Sequence, residues 1–196
     1  MAANFVVLAY SAITDSGPTT LCGDLGIAPL AAVSGGYVFT CGGAPHVTDS
    51  AAAQAKLDLS AAYDDAALRT PTTPVAGDLA GVTLSPGVYK STSSLNISAP
   101  GLTLDALGDP NGVFIFQMVS TLITGPGSTV TLAGGAQAKN VFWQVGSTCA
   151  LDTTTDFKGT IMAYGTIALN TGAMVQGRVL SKTDEVTMLT NNITMP

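Results

Sequence analysis

The side chains that most often carry out chemistry are few in this chain, and they are scattered. His46 is the one histidine among 196 residues, and the cysteines are Cys22, Cys41 and Cys149. None of the cysteines belongs to a Cys-x-x-Cys pair, which disfavours a zinc centre. Cleavage of a polysaccharide needs convergent carboxylates, a bound cation or a basic residue acting on the sugar. The nearest candidates are Asp64-Asp65 and the trio Lys182, Asp184 and Glu185. Adjacent helical residues lie about 100° apart around the axis, so Asp64 and Asp65 read as a solvated surface. The chain has neither a Gly-x-Ser-x-Gly elbow nor a phosphate-cradling glycine loop before a helix. No catalytic residue, metal ligand or cofactor is therefore expected. His46 reads as a solvated loop residue and Cys149 as a small buried hydrophobe. Cys22 and Cys41 bracket a glycine-rich loop and leave a disulfide open, which an oxidising compartment would favour.

What the chain does have is hydroxyls at a regular spacing. Segments 89–95, 116–122, 143–149 and 161–167 each open on a bulky apolar residue and end on a hydroxyl followed by another apolar residue. Ser94, Thr121, Thr148 and Thr166 recur in steps of 27, 27 and 18 residues, and Asp184 follows after 18 more. The longer steps read as an 18-residue coil with inserted turns at 108–112 and 134–140. Further strand signals lie between the copies, as in Val82-Thr83-Leu84, Leu102-Thr103-Leu104 and Val130-Thr131-Leu132. Three short strands per coil of about 18 residues describe a mainly β fold, a triangular parallel β-helix in which neighbouring coils bury one another's apolar faces.

One stretch departs from this pattern. Residues 49–68 are rich in Ala, and Ala52, Ala55, Leu59, Ala62, Tyr63 and Ala66 fall on one face at helical spacing. Thr48 or Asp49 can cap the start, and Pro71 stops the helix at its far end. Before it, 5–34 reads as strands, with 6–13 one more copy of the coil. The chain is expected to be a single domain over 1–196.

Composition narrows the function classes. Only 10% of residues are charged, against about 25% in ordinary soluble proteins. The net charge is −6, and seven Lys+Arg form no basic cluster, so a nucleic-acid partner is not expected. No apolar run approaches a membrane span. Met1-Ala2-Ala3-Asn4 runs straight into a strand-like segment, so a secreted protein is expected to have lost its leader. Flat sugar sites show exposed aromatics, and Tyr10, Tyr37 and Tyr164 as candidates keep open a carbohydrate-binding or adhesin module. Asn96-Ile97-Ser98 and Asn192-Ile193-Thr194 match the glycosylation pattern.

The order of motifs is specific. It runs Phe-Val-Val-Leu-Ala at 5–9, Gly-Asp-Leu-Gly-Ile-Ala-Pro at 23–29 and Ala-Tyr-Asp-Asp-Ala-Ala at 62–67. Thr-Leu-Ser-Pro-Gly-Val-Tyr-Lys at 83–90, Val-Phe-Ile-Phe-Gln at 113–117, Asn-Val-Phe-Trp-Gln-Val-Gly at 140–146 and Gln-Gly-Arg-Val-Leu-Ser at 176–181 complete it. This series resembles the microbial ice-binding proteins of the DUF3494 family over nearly the whole chain. The resemblance implies a right-handed, discontinuous parallel β-solenoid with one long α-helix along its side, and an ice-binding (antifreeze) function exerted through one flat face. Many members carry a capping insert before the helix. Only 31–48 is available here, so the cap is expected to be short or absent.

The physics of such a face favours short hydroxyls and methyls over charges, which orient their own hydration shells. Thr offers both groups on a side chain stiff at χ1, so little entropy is lost on binding. Alternate residues along a strand share a side about 6.6 Å apart. Counting on from the bulky first residue of each copy puts Thr92 and Ser94, Val119 and Thr121, Gly146 and Thr148, and Tyr164 and Thr166 outward. Ser11 and Ala9 are the expected extension. The partner is then an ice surface, met by a chain expected to be monomeric.

Overall fold

The computed structural model describes residues 4–196. The leader expectation rests on Met1 to Ala3, which lie outside the described residues. Parallel strands stack into a solenoid with three faces. Each coil passes across a helix-bearing face, turns onto a flat face, and returns across a third.

The helix-bearing face runs Thr73–Pro74, Gly87–Ser91, Phe114–Met118, Val141–Val145, Asp156–Ala163, Met174–Ser181, Phe5–Ala9, Asp24–Ile27 and Pro45–Val47. Its order breaks with the sequence: Phe5–Ala9 pairs with Met174–Ser181, Val7 opposite Val179. The first coils therefore form one end of the solenoid, and the chain must travel to the other end before stacking back. The helix Ser50–Leu68 makes that journey. It touches strands from Pro45–Val47 to Phe114–Met118. Seven strands at about 4.8 Å spacing span about 29 Å, and 19 residues at 1.5 Å rise span about 28 Å, so the helix length matches the tract it covers.

Burial selects the helix face. Ala55, Leu59, Tyr63 and Ala66 are buried against Phe5, Leu8, Met162 and Leu180, and Ala52 is buried too. Ala62, expected on the same face, is exposed, because a 3.6-residue period carries it round the edge of that stripe. The Asp49 carboxylate accepts the Ala52 amide at 2.8 Å and caps the start. That bond, followed by the one from His46, holds its carboxyl below the usual range. His46 is half-buried rather than freely solvated: its Nδ1 lies 2.7 Å from Asp49, and its ring meets Phe5 edge-on. At the far end the buried Gln117 donates Nε2 to the carbonyls of Ala66 and Arg69, at 2.8 and 2.7 Å. Those are among the acceptors a helix end leaves without partners.

The coil interior is apolar and stacked in register. Tyr89, Phe116, Trp143 and Phe157 follow one another with ring centroids 5.2, 4.0 and 5.1 Å apart. Trp143 gives its indole N–H to the Lys158 carbonyl. Cys149 is fully buried in this core, and burial pushes its thiol far up. The insertions that lengthen the coil from 18 to 27 residues fall chiefly between the third and helix-bearing faces, at 106–113 and 134–140. The long strands Asp156–Ala163 and Met174–Ser181 lack such loops and bend directly between those faces. Glycines allow this: a Cβ on Gly177 would lie 1.8 Å from the Gly159 carbonyl oxygen.

Segment 31–48 does not form a separate cap. Ala32–Ser34, Val38–Thr40 and Pro45–Val47 each add a strand to a different face and make one final coil. A Cys22–Cys41 disulfide ties this coil to its neighbour.

Candidate functional site

Two faces are left uncovered by the helix. The flat face comprises Gly77–Asp78, Leu95–Ile97, Leu122–Thr124, Cys149–Leu151, Ile167–Leu169, Val186–Met188, Ala12–Asp15 and Ala32–Ser34, in that order. Leu95, Leu122, Cys149, Ile167 and Val186 pair side by side and point into the core. Alternation then turns the residue on either side of each outward.

The preceding residues form one column. Leu95 donates to the Thr121 carbonyl, Leu122 to Thr148, Cys149 to Thr166 and Ile167 to Glu185, so Ser94, Thr121, Thr148, Thr166 and Glu185 follow each other strand by strand. Ala12 and Ala32 continue the series. The Thr121 hydroxyl donates to Ser94 Oγ at 2.7 Å, and Thr148 is exposed. The second column runs Asn96, Ile123, Ala150, Ala168, Thr187, Thr14 and Ser34. From Ser94 to Ala168 neither column carries a charge.

The third face is interrupted. Its outward residues include Thr103 and Thr131, but also Asp105 and the ion pair Lys158–Asp156 at 2.6 Å. A hydroxyl count alone would not separate the two faces; the unbroken uncharged tract from Ser94 to Ala168 does.

The sequence reading put a second residue of each copy on the same surface, and here the structure differs. Thr92, Val119, Gly146 and Tyr164 sit in the bend between the helix-bearing and flat faces, not in a strand. Val119 and Gly146 line a small hollow with Ala67 of the helix, and Tyr164 leans on Tyr63 at 6.3 Å. Gly146 serves the bend itself, since a Cβ there would lie 2.3 Å from the Val119 carbonyl oxygen. Alternation fails in this stretch because the backbone turns. Ala9 is buried in the helix-bearing sheet, and Ser11 lies in the same kind of bend, its hydroxyl bonded to Asp184 at 3.1 Å. The second column, with Asn96, Ile123, Ala150, Ala168 and Thr187, was missed for the same reason. Its signal was alternation taken within each strand rather than carried through the bend.

The residues weighed for other chemistry do not converge. Lys182 turns to the helix, 2.8 Å from Asp64 and over the Tyr63 ring, whereas Asp184 faces Thr166 and Ser11. Asp64 and Asp65 point apart, the latter clasped by Arg69. Among the described residues no three His, Cys, Asp or Glu side chains are grouped as metal ligands. Tyr37 packs on Phe39 and Tyr10 lies beneath Lys56, so the three tyrosines make no common platform. No helix among the described residues is long and apolar enough to cross a membrane.

Known proteins of the same architecture carry a consistent description. Residues 7–194 match the Ice-binding-like family. An ice-binding protein of Nostoc sp. (strain HG1) is 41% identical over 98% of this chain and 71% of its own length. One from Flavobacterium frigoris (strain PS1) is 36% identical over the whole chain and 75% of its own. Among solved structures, an ice-binding protein from an Antarctic biological consortium superposes with a TM-score of 0.96 at 46% identity, covering all of this chain and 89% of that one. The protein from the Antarctic ascomycete Antarctomyces psychrotrophicus gives 0.92 at 34% identity, covering 98% and 95%. The chain belongs to the Ice-binding-like family.

Proposed function

We propose that this protein adsorbs to ice through the flat face, with Ser94, Thr121, Thr148 and Thr166 as its first column and Asn96, Ile123, Ala150 and Ala168 as its second. The observation that carries this is the pair of uncharged columns over four successive coils, on a face the helix does not cover. Hydroxyls hold lattice water and methyls space it. The β-sheet beneath fixes both at about 4.8 Å across strands and about 6.6 Å along them. Adsorbed molecules then block ice growth and recrystallisation.

Thr148→Tyr or Thr121→Tyr should lower thermal hysteresis at equal concentration by about tenfold, as expected for a central residue of a rigid interface. Both side chains lie outside the core, so stability should stay within about 0.5 kcal/mol. Thr131→Tyr on the third face should leave activity unchanged. Equal loss from Thr131→Tyr and Thr148→Tyr, or no loss from either, rejects the flat face. The protein acts outside the cell as a monomer on this reading; the Cys22–Cys41 bond supports an oxidising compartment.

A further inference from the structure

The first column changes chemistry at one coil. Between Ile161 and Ile167 the chain takes six residues; between the matching Val179 and Val186 it takes seven. The repeat of 18 becomes 19 on the flat face, and Glu185, not Asp184, falls in line with Thr166. The additional residue is accommodated as a tight knot. The Asp184 carbonyl accepts the amides of both Tyr10 and Ser11. Its carboxylate takes the Thr166 hydroxyl at 2.9 Å, the Ser11 hydroxyl at 3.1 Å and the Glu185 amide at 3.0 Å. Thr166 thus spends its hydroxyl proton on a neighbouring anion, and Glu185 carries a half-exposed carboxylate into the column.

We infer that Glu185 bounds the ice-adsorbing tract, and that this residue sets how much of the flat face works. The inference rests on the flat-face reading above. A carboxylate keeps a hydration shell whose geometry is its own, and stripping it against a solid surface is costly. Beyond it, Thr187, Thr14 and Ser34 continue the second column and repeat its short side chains. They are laid out for the same contact but separated from the main tract by the charge.

The test replaces the carboxylate without touching the core. Glu185→Thr restores the column's chemistry, and Glu185→Gln removes charge at constant size. Each should raise thermal hysteresis at equal concentration, by roughly twofold or more for Glu185→Thr, because an unfavourably desolvated charge is lost. Thr148→Glu, which plants a carboxylate in mid-tract, should lower it. Adding Ser34→Tyr to Glu185→Thr should cancel part of the gain, while Ser34→Tyr alone changes nothing. If Glu185→Thr and Glu185→Gln match the parent protein while Thr148→Glu lowers activity, the flat face stands and the boundary role is overturned. If Thr148→Glu also has no effect, the flat-face reading fails with it. Melting temperatures of all five variants, measured by calorimetry, separate loss of fold from loss of adsorption.

Discussion

A threonine's contribution to this surface depends on what its hydroxyl already does. Thr121 bonds Ser94 within the column, Thr166 bonds Asp184, and Thr148 stands exposed. On the proposed flat-face reading Thr148 should therefore be the most sensitive single position, and Thr148→Val should test the hydroxyl separately from the methyl. Retained shape with a lost hydrogen bond is worth about 1 kcal/mol, so thermal hysteresis should fall by less than in Thr148→Tyr. A loss as large as that from tyrosine would mean that the hydroxyl, not flatness, governs adsorption. Inside the molecule, Gln117→Leu should cost about 1–3 kcal/mol in chemical denaturation, since two helix-end carbonyls lose their buried donor.

At the scale of elements, the helix is both a link and a clamp. Lys56 reaches over the edge of the solenoid and gives its ammonium to the carbonyls of Ser181 and Lys182, at 2.5 and 3.0 Å. Burial there, with the charge of Lys182 adding, lowers its pKa from 10.5 to about 8. Between those values the unfolded chain holds a proton that the folded chain has released, so this residue's contribution to stability rises with pH over that window. Thermal unfolding of the parent protein relative to Lys56→Met should shift in the parent's favour from pH 8 to pH 10.5. A flat or falling difference would contradict it. The helix start behaves in the same sense, in an acidic window. Asp49 has a lowered carboxyl pKa, so its cap is held at neutral pH and is lost as pH falls through that lowered value.

At the scale of the whole molecule, the solenoid has two unlike ends. One closes on the disulfide-bonded coil of 32–47, the other on the short strands Thr73–Pro74, Gly77–Asp78 and Thr83–Leu84. Cys22 and Cys41 are 19 positions apart in sequence; by chain entropy such a link is worth about 3 kcal/mol, or roughly 6–12 °C of melting temperature in a domain of this size. Reduction should lower the melting temperature accordingly, or, if the end coil opens by itself, expose the amides of Val38 to Thr40 to rapid hydrogen exchange. The tract from Ser94 to Ala168 proposed to face ice ends two coils before Thr14, so hysteresis measured near 0 °C should survive reduction.

The period of the coil, the helix and its cap, the core aromatics and the hydroxyls at 94, 121, 148 and 166 were legible in the sequence. Each is a local pattern of side-chain types at a spacing the backbone geometry dictates. Local spacing does not say where an extended chain bends, and the bend moved Thr92, Val119, Gly146 and Tyr164 off the flat face while bringing Asn96, Ile123 and Ala150 onto it. Nor does it say which coils meet. Ser11 and Asp184, 173 residues apart, share a hydrogen bond only because the helix carries the chain from one end of the solenoid to the other before the stack is completed. That placement is a matter of long-range packing, which only the folded molecule decides.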